Sequence, residues 1–444
     1  MTWIACELHT HTLHSDGRQT LRELAEGAAK LGFGAIALTD HNTMSGLAGK
    51  ADIEREFGLT IIPGMEWTTF YGHMVTIGLS EFADWRQAGR SDIDRGIAEV
   101  HRLGGIAGLA HPFRIGSPAC TGCFWEYEVG DWNAVDYVEV WSGTFPSIKT
   151  DNRRAFGLWT DKLNEGYRIA ATSGRDWHAQ EETDEPVSVT YLEIEDEGGE
   201  SGAASAASPD SGAAEPSRFG AETQPEEVGR GASSAAALAE TRLIEALRQG
   251  RVSVTIGPLL TMALESGGEL WSVGSSVPAR VSARAASAAP TSDVPASVGS
   301  QGEEAADSVE AAAIRVKLSL DFSVRRGLWT LDDQVFKLKL HSNLGEELSL
   351  DAPFKAARPE EVGVGAAESR KALLERGALP AAPGVGTAEE PLRLDLEAEL
   401  PTPAADSPRS WLRAELWGTA RGAYTRIAFT NAVYFEHEEG KNRL

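Results

Sequence analysis

The chain is poor in cysteine, in basic residues and in long apolar runs. Three cysteines in 444 residues, an odd number, build no disulfide framework; a reducing, cytoplasmic setting is expected. No apolar run approaches the ~20 residues needed to span a bilayer. The N-terminus has no basic stretch followed by an apolar one, so neither a membrane span nor a signal peptide is expected. Only 41 Lys and Arg stand against 66 Asp and Glu, a net charge of −25. That balance argues against duplex nucleic acid as a partner, because neutralising phosphates over a broad surface needs basic side chains. It leaves room for a small phosphate ester held by metal ions.

What is present is unevenly placed. Of ten histidines, only His341 and His437 lie beyond residue 178, so a metal site belongs to the first half. The length suggests two or three domains. Up to about residue 195, short apolar strands alternate with amphipathic helices, the pattern of a β/α architecture. One helix opens at Thr20 with a T-x-x-E capping box to Glu23 and stops at Gly32. A second opens near Ser91 with Ile93, Ile97 and Val100 on one face, and a third near Asp151 with Phe156, Trp159 and Leu163. From about 195 to 235 the composition collapses into Gly, Ala, Ser, Glu and Pro, a disordered insertion. A helix, ALAETRLIEALRQ, then leads into alternating segments such as VKLSL and RLDLEAEL, read as half-buried antiparallel strands. Further low-complexity insertions fall at about 281–312 and 353–390. The expected organisation is a unit over 1–257 and a β-rich, sandwich-like unit over 258–444.

The strand ends carry the chemistry. The first strand ends in His9 and His11, two residues apart and so on one side. Later strands end in Asp40–His41, Glu66, His111, and Asp176 with His178; Asp16 follows the first strand and His73 follows Glu66. In a β/α barrel these ends converge on one face. Imidazoles and carboxylates without thiolate suit Mn, Fe or Zn. His9, His11, Asp16, His41, Glu66, His73, His111, Asp176 and His178 are too many for one ion, so two or three divalent ions are expected, with Glu66 as the bridging carboxylate. Such a cluster lowers the pKa of bound water from about 15.7 towards 7 and implies metal-assisted hydrolysis.

Other residues have smaller expected parts. Asp40 is a candidate acid or ligand-orienting group. Arg114 and Arg175 are candidate phosphate forks. His14 is expected beside the pocket rather than on a metal, and Glu139 at the rim or as a solvated strand end. Cys120-Thr-Gly-Cys123, a lone C-x-x-C, reads as a loop with two free thiols. Phe124, Trp125, Tyr127 and Trp132 are expected in a loop over the strand ends.

The segments HTHTLHSDG, LTDHNT, PGMEWT, LAHP and SGRDWH resemble, in order, the motifs of the PHP (polymerase and histidinol phosphatase) superfamily. The likeness is greatest to the branch that includes carbaryl-hydrolase type enzymes, and EALRQGRVSVTIGPLL and WLRAELWG…IAFTNAVYF look like that branch too. The resemblance implies an α/β fold, a distorted (βα)7 barrel with a two- or three-metal site on its C-terminal face. It also implies three ligand sets: His9, His11, Glu66 and Asp176; Glu66, His73 and His111; Asp16, His41 and His178. The final motif has Arg175 where the superfamily commonly has a small residue. The activity implied is hydrolysis of phosphate mono- or diesters of a small molecule or nucleotide by a metal-bridging hydroxide. The alternatives are a carbamate or carboxyl ester hydrolase using the same site, and a non-catalytic metal-containing binding protein.

Overall fold

A computed structural model describes residues 1–116, 122–195, 227–279, 281, 313–356, 392–404 and 406–437. Most of the three expected insertions lies outside the described residues. The first half runs β1 (Thr2–Thr10), α1 (Leu21–Lys30), β2 (Ala35–Leu38), α2 (Lys50–Phe57), β3 (Thr60–Thr69), β4 (Gly72–Ile77), α3 (Ile93–Arg102), β5 (Ile106–Leu109), β6 (Tyr137–Ser142), α4 (Thr150–Asn164) and β7 (Ala170–Gly174). Thr20 caps α1, with both halves of its box to Glu23 formed, and Leu24, Ala25 and Ala28 are buried beneath it. The short helix α2, ending at Gly58 in a left-handed conformation, has no counterpart in the sequence reading, because its eight residues bury only Ile53.

These strands pair in chain order. β1, β2 and β3 are parallel, as are β5, β6 and β7; β4 runs antiparallel to both of its neighbours. The run returns on itself just past β7, where Trp177 bridges to Thr10: the Trp177 N–H donates to His9 O at 3.0 Å and the His11 N–H to Trp177 O at 2.9 Å. The reversal of β4 matters for the site. It places the start of β4, and so His73, at the end where the parallel strands finish.

The second half contains β8 (Val189–Ile194), α5 (Glu227–Arg248), β9 (Val252–Thr255), β10 (Leu259–Ser266), β11 (Glu269–Ser272), β12 (Ser276–Val277), β13 (Arg315–Asp321), β14 (Gln334–Ser342), β15 (Gly345–Phe354), β16 (Arg393–Glu399), β17 (Trp411–Ala420), β18 (Ala423–Thr430) and β19 (Val433–Phe435). The helix α5 begins at Glu227 and β15 runs to Phe354, so ordered elements reach into two of the stretches read as insertions. β10, β11, β13 and β16 form a four-stranded antiparallel sheet. The rest join the first sheet: β8 pairs with the free edge of β1, β9 with β8, and β18 with β9. A single 15-stranded sheet thus crosses the expected boundary at residue 257.

The two halves are also locked through α4. Phe429 of β18 meets Trp141, Phe156 and Trp159 with ring centroids 5.0, 5.1 and 5.8 Å away. Beside them lies a buried ion triad. Arg413 donates through Nε to Glu415 Oε1 and Arg426 through Nε to Glu415 Oε2, each at 2.9 Å, and Arg413 Nη1 reaches Thr160 of α4 at 3.0 Å.

Candidate metal centre

The nine expected ligands come together at one end of the curled sheet. β1 delivers His9, and His11 follows just past its end, both fully buried. The backbone at His41 bridges to Glu66, and Asn42 clamps Thr68 from both sides, donating through Nδ2 to its carbonyl at 2.9 Å and accepting its N–H at 3.0 Å. His111 and Asp176 sit just past β5 and β7 with φ of +28° and +56°. Such backbone costs a non-glycine residue roughly 1–3 kcal/mol, and here it aims two ligand side chains inward. Gly174 makes room beneath them, since a Cβ there would stand 2.5 Å from His9 Cβ and 2.6 Å from Glu139 Oε2.

Glu66 is the hub. Its Oε1 lies 3.0 Å from His73 Nδ1 and 3.2 Å from His111 Nε2. Its Oε2 lies 3.2 Å from His9 Nε2, 3.5 Å from His11 Nε2 and 2.9 Å from His41 Nδ1. Asp176 Oδ1 is 3.3 Å from His9 Nε2 and 3.1 Å from His11 Nε2. Asp16 Oδ1 joins His41 Nε2 at 3.2 Å and His178 Nε2 at 3.0 Å, with its side chain 60% exposed at the mouth. Three groups of converging donor atoms result: His9, His11, Glu66 and Asp176; Glu66, His73 and His111; His11, Asp16, His41 and His178. They match the sets implied by the resemblance, with His11 added to the third.

The donors fit divalent ions. His9 Nε2, His11 Nε2, Glu66 Oε2 and Asp176 Oδ1 are buried without a hydrogen-bond partner, which is costly unless something else satisfies them. The electrostatics agree. Burial alone would raise the Glu66 and Asp176 carboxyls, but the imidazoles around them, His9 foremost, hold both well below the usual range. Burial would lower His9, yet Glu139, Glu66 and Asp176 outweigh it and hold the imidazole well above its ordinary value. His41 is likewise lifted, to about 10, by Asp16 and Glu66 against burial, whereas burial takes His11 down to about 4. A raised imidazole is protonated in the metal-stripped protein at neutral pH and must lose that proton to bind an ion. Metal uptake at pH 7.5 is therefore expected to release at least one proton per chain, and affinity to climb with pH beyond 7 towards 10. Calorimetry in buffers of different ionisation enthalpy measures both; proton uptake, or affinity that is flat above pH 7, contradicts the assignment of His41.

Several side chains lie elsewhere than the sequence reading put them. Asp40 is not poised as an acid. Its Oδ1 accepts from the Thr12 N–H and Ser15 Oγ, and its Oδ2 from Thr12 Oγ1, all at 2.7 Å, so it anchors the loop that carries Asp16. Arg175 does not face the cleft: its guanidinium lies 4.6 Å from the Trp177 ring centroid, and its N–H donates to Glu7 Oε1 at 2.8 Å. Arg114 does line the cleft, with Asp16, His41, Glu66, His73, His111, Asp176 and His178. Its Nη1 donates to Asp176 Oδ2 and its Nη2 to Ser142 Oγ. His14 is exposed and bonds Ser45 Oγ through Nδ1 at 2.8 Å. Cys6 is a buried free thiol, but Cys123 is disulfide-bonded, against the expectation of two free thiols; Cys120 lies outside the described residues. Phe124, Trp125 and Tyr127 form a strap over the β3–β4 turn, where Tyr127 donates to Thr69 Oγ1 at 2.8 Å and Tyr71 O accepts the Glu126 N–H at 2.6 Å.

Two carboxylates matter more than the sequence suggested. Glu139 is buried inside the sheet, its Oε2 2.7 Å from His9 Nδ1. It fixes the ring so that Nε2 points at the cluster, the usual carboxylate–histidine arrangement behind a metal. Glu7, also buried, accepts the N–H groups of His9 and Arg175 and so ties β1 to the end of β7. The available signal was position: a carboxylate flanked by Val138 and Val140 in a parallel strand covered on both faces has to be inside. Glu139→Gln is expected to weaken metal binding roughly 10- to 100-fold with little change in melting of the stripped protein; a metal titration checks it, and unchanged affinity removes the orienting role.

Parts of the chain are similar to known proteins. Residues 7–94 match the PHP domain family. The matched stretch includes His9, His11, Asp16, His41, Glu66 and His73, and the remaining candidate ligands follow it. Over 122 residues the chain is 30% identical to a 3',5'-nucleoside bisphosphate phosphatase of Chromobacterium violaceum, covering 27% of this chain and 40% of that protein. Over 83 residues it is 29% identical to a phosphoribosyl 1,2-cyclic phosphate 1,2-diphosphodiesterase of Eggerthella lenta, covering 17% of this chain and 32% of that one. The chain thus spans less than half the length of either curated relative. A solved two-domain protein from Bacteroides vulgatus, described as containing a predicted PHP-like metal-dependent phosphoesterase, aligns over 97% of this chain and 95% of its own, with 13% identity and a TM-score of 0.40. Among the described residues, no helix is long and apolar enough to cross a membrane.

Proposed function

We propose that this protein is a metal-dependent hydrolase of phosphate mono- or diesters, acting on a small molecule or nucleotide. The observation that carries the reading is the sharing of Glu66 between two of the three candidate ligand groups, because a carboxylate common to both groups would serve two ions, and paired ions would supply the charge that a displacement at phosphorus needs. Divalent ions bound there supply Lewis acidity and a nucleophile from water at neutral pH. His9, His11, Glu66 and Asp176 would hold one, Glu66, His73 and His111 a second, and Asp16, His41 and His178, with His11 alongside, a third at the open mouth. The chain's own residues do the rest. Arg114, oriented by Asp176 and Ser142, presents a guanidinium to the phosphoryl oxygens as charge builds on them. Glu139 keeps His9 aimed, and Asp40 keeps the Asp16 loop in place. The phosphatase and diphosphodiesterase names of the two curated relatives support phosphorus as the centre attacked.

The test is a panel of p-nitrophenyl phosphate, its bis-ester and an aryl carbamate, each with Mn²⁺. Turnover of a phosphate ester above the carbamate is expected. Carbamate cleavage alone overturns the choice of bond, and metal-loaded protein inert on all three favours a binding role.

A further inference from the structure

Asp176 and His178 lie just past the end of β7, and among the described residues β7 pairs as a strand with β6 alone. Its other edge would leave backbone N–H and C=O groups unpaired. Side chains take the place of a second partner strand. Asn431, in the loop between β18 and β19, donates through Nδ2 to Ala171 O at 2.9 Å and accepts the Ala171 N–H on Oδ1 at 2.7 Å, across 260 residues of chain. Two residues further along β7, Thr190 Oγ1 of β8 accepts the Ser173 N–H at 2.8 Å and donates to Ser173 O at 2.9 Å. Asn431 is itself held. It is 1% exposed, and its own N–H donates to Val252 O of β9 at 2.9 Å. A buried amide is costly unless both its polar atoms are engaged; here both are spent on one residue of β7, which fixes that strand along its length. Beyond Ser173 there is no slack. Gly174 passes against His9 and Glu139, and Asp176 then brings Oδ1 to 3.3 Å from His9 Nε2 and 3.1 Å from His11 Nε2. Metal–donor distances in a formed site hold to roughly 0.2 Å, so a small shift of β7 would take Asp176 and His178 out of range.

We propose that Asn431 is a positioning residue for the metal centre: through Ala171 it sets where β7 ends, and so where Asp176 and His178 stand. The inference rests on the metal-dependent reading of the site and makes the second half part of the metal-binding unit. Its effect is selective. Two of the three candidate ligand groups contain Asp176 or His178, whereas Glu66, His73 and His111 owe nothing to β7.

Co²⁺ is titrated into the metal-stripped full chain as wild type, Asn431→Ala and Thr430→Val, with its visible absorption as the readout of coordination. Thr430 is the control: it is the neighbouring residue, fully buried, and its Oγ1 accepts the Ala414 N–H at 3.0 Å within the second half. Asn431→Ala is expected to weaken about 10- to 100-fold the ions whose donors include Asp176 or His178, to alter their absorption bands, and to spare the ion at Glu66, His73 and His111. Thr430→Val is expected to lower the melting temperature and leave affinities and bands as in wild type. Wild-type affinities and bands in Asn431→Ala, an equal weakening of every ion, or the same loss in Thr430→Val overturns the positioning role. If Asn431→Ala does not fold, Asn431→Ser, whose shorter side chain cannot make both bonds, decides by the same criteria. If wild type takes up no Co²⁺, the metal-dependent reading fails, and amide hydrogen exchange of the stripped proteins decides alone: faster exchange over residues 172–178 in Asn431→Ala than in Thr430→Val supports the hold on β7, and equal exchange overturns it.

Discussion

Glu66→Gln should remove hydrolysis almost entirely, by on the order of 10³-fold or more in kcat/KM, and lower bound metal by at least one ion per chain. The substitution keeps the side chain's shape and removes its charge. Five imidazole nitrogens lie within 3.5 Å of this carboxylate, and an amide can neither bridge two ions nor hold His9 and His41 in their charged forms before metal arrives. Effects at the other ligands should grade by sharing. Asp16, exposed and, among the described residues, paired with His41 and His178, should cost less than Glu66. Metal content per chain with kinetics on the same preparations checks the order. A Glu66→Gln enzyme within tenfold of wild type, or one that keeps its full metal complement, leaves the hub without a function.

Glu415→Ala should cost about 3–5 kcal/mol of stability, because it strands two buried guanidinium groups without a counter-charge. Burial pulls Arg413 down to about 10 and also lowers Arg426. The two arginines in turn hold Glu415 well below the usual carboxylate range against its own burial. A depressed carboxylate contributes stability that is present above its unfolded value and lost as pH falls through the folded one. The wild-type advantage over Glu415→Ala should therefore persist at pH 6 to 8 and shrink below about pH 4. Arg413 grips Thr160 of α4 and stacks 4.8 Å from Trp159, so the loss should loosen the contact between β17 and the first-half helix. Urea denaturation at two pH values measures it. A change under 1 kcal/mol at pH 7 means the triad is a passive surface between the halves.

The sequence made the site more legible than the framework around it. His9, His11 and Glu66 could be read because strand ends in a β/α pattern converge whatever the details of pairing. His73 could be named but not explained: seven residues after Glu66 it faces the same cluster only because β4 turns back, and strand direction is a tertiary fact. The partners of Asp40 and Arg175 could not be read for a related reason. Their neighbours in sequence are candidate ligands, but their partners, Thr12 and Ser15 for one and Trp177 for the other, are fixed by how loops fold back. In the second half the alternation of VKLSL and RLDLEAEL located β13 and β16 well. The continuity of the long sheet through β8, β9 and β18 could not be read, because period-two patterning gives a strand's faces and not its neighbours.

One titration tests most directly whether clustered ions carry the activity. Metal-stripped protein is supplied with Mn²⁺ in increments while hydrolysis of bis-p-nitrophenyl phosphate is followed. If clustered ions around Glu66 do the work, activity stays near zero in the stripped protein and rises to a plateau only at two or more equivalents per chain. Full activity in the stripped protein, or a plateau below one equivalent, contradicts it.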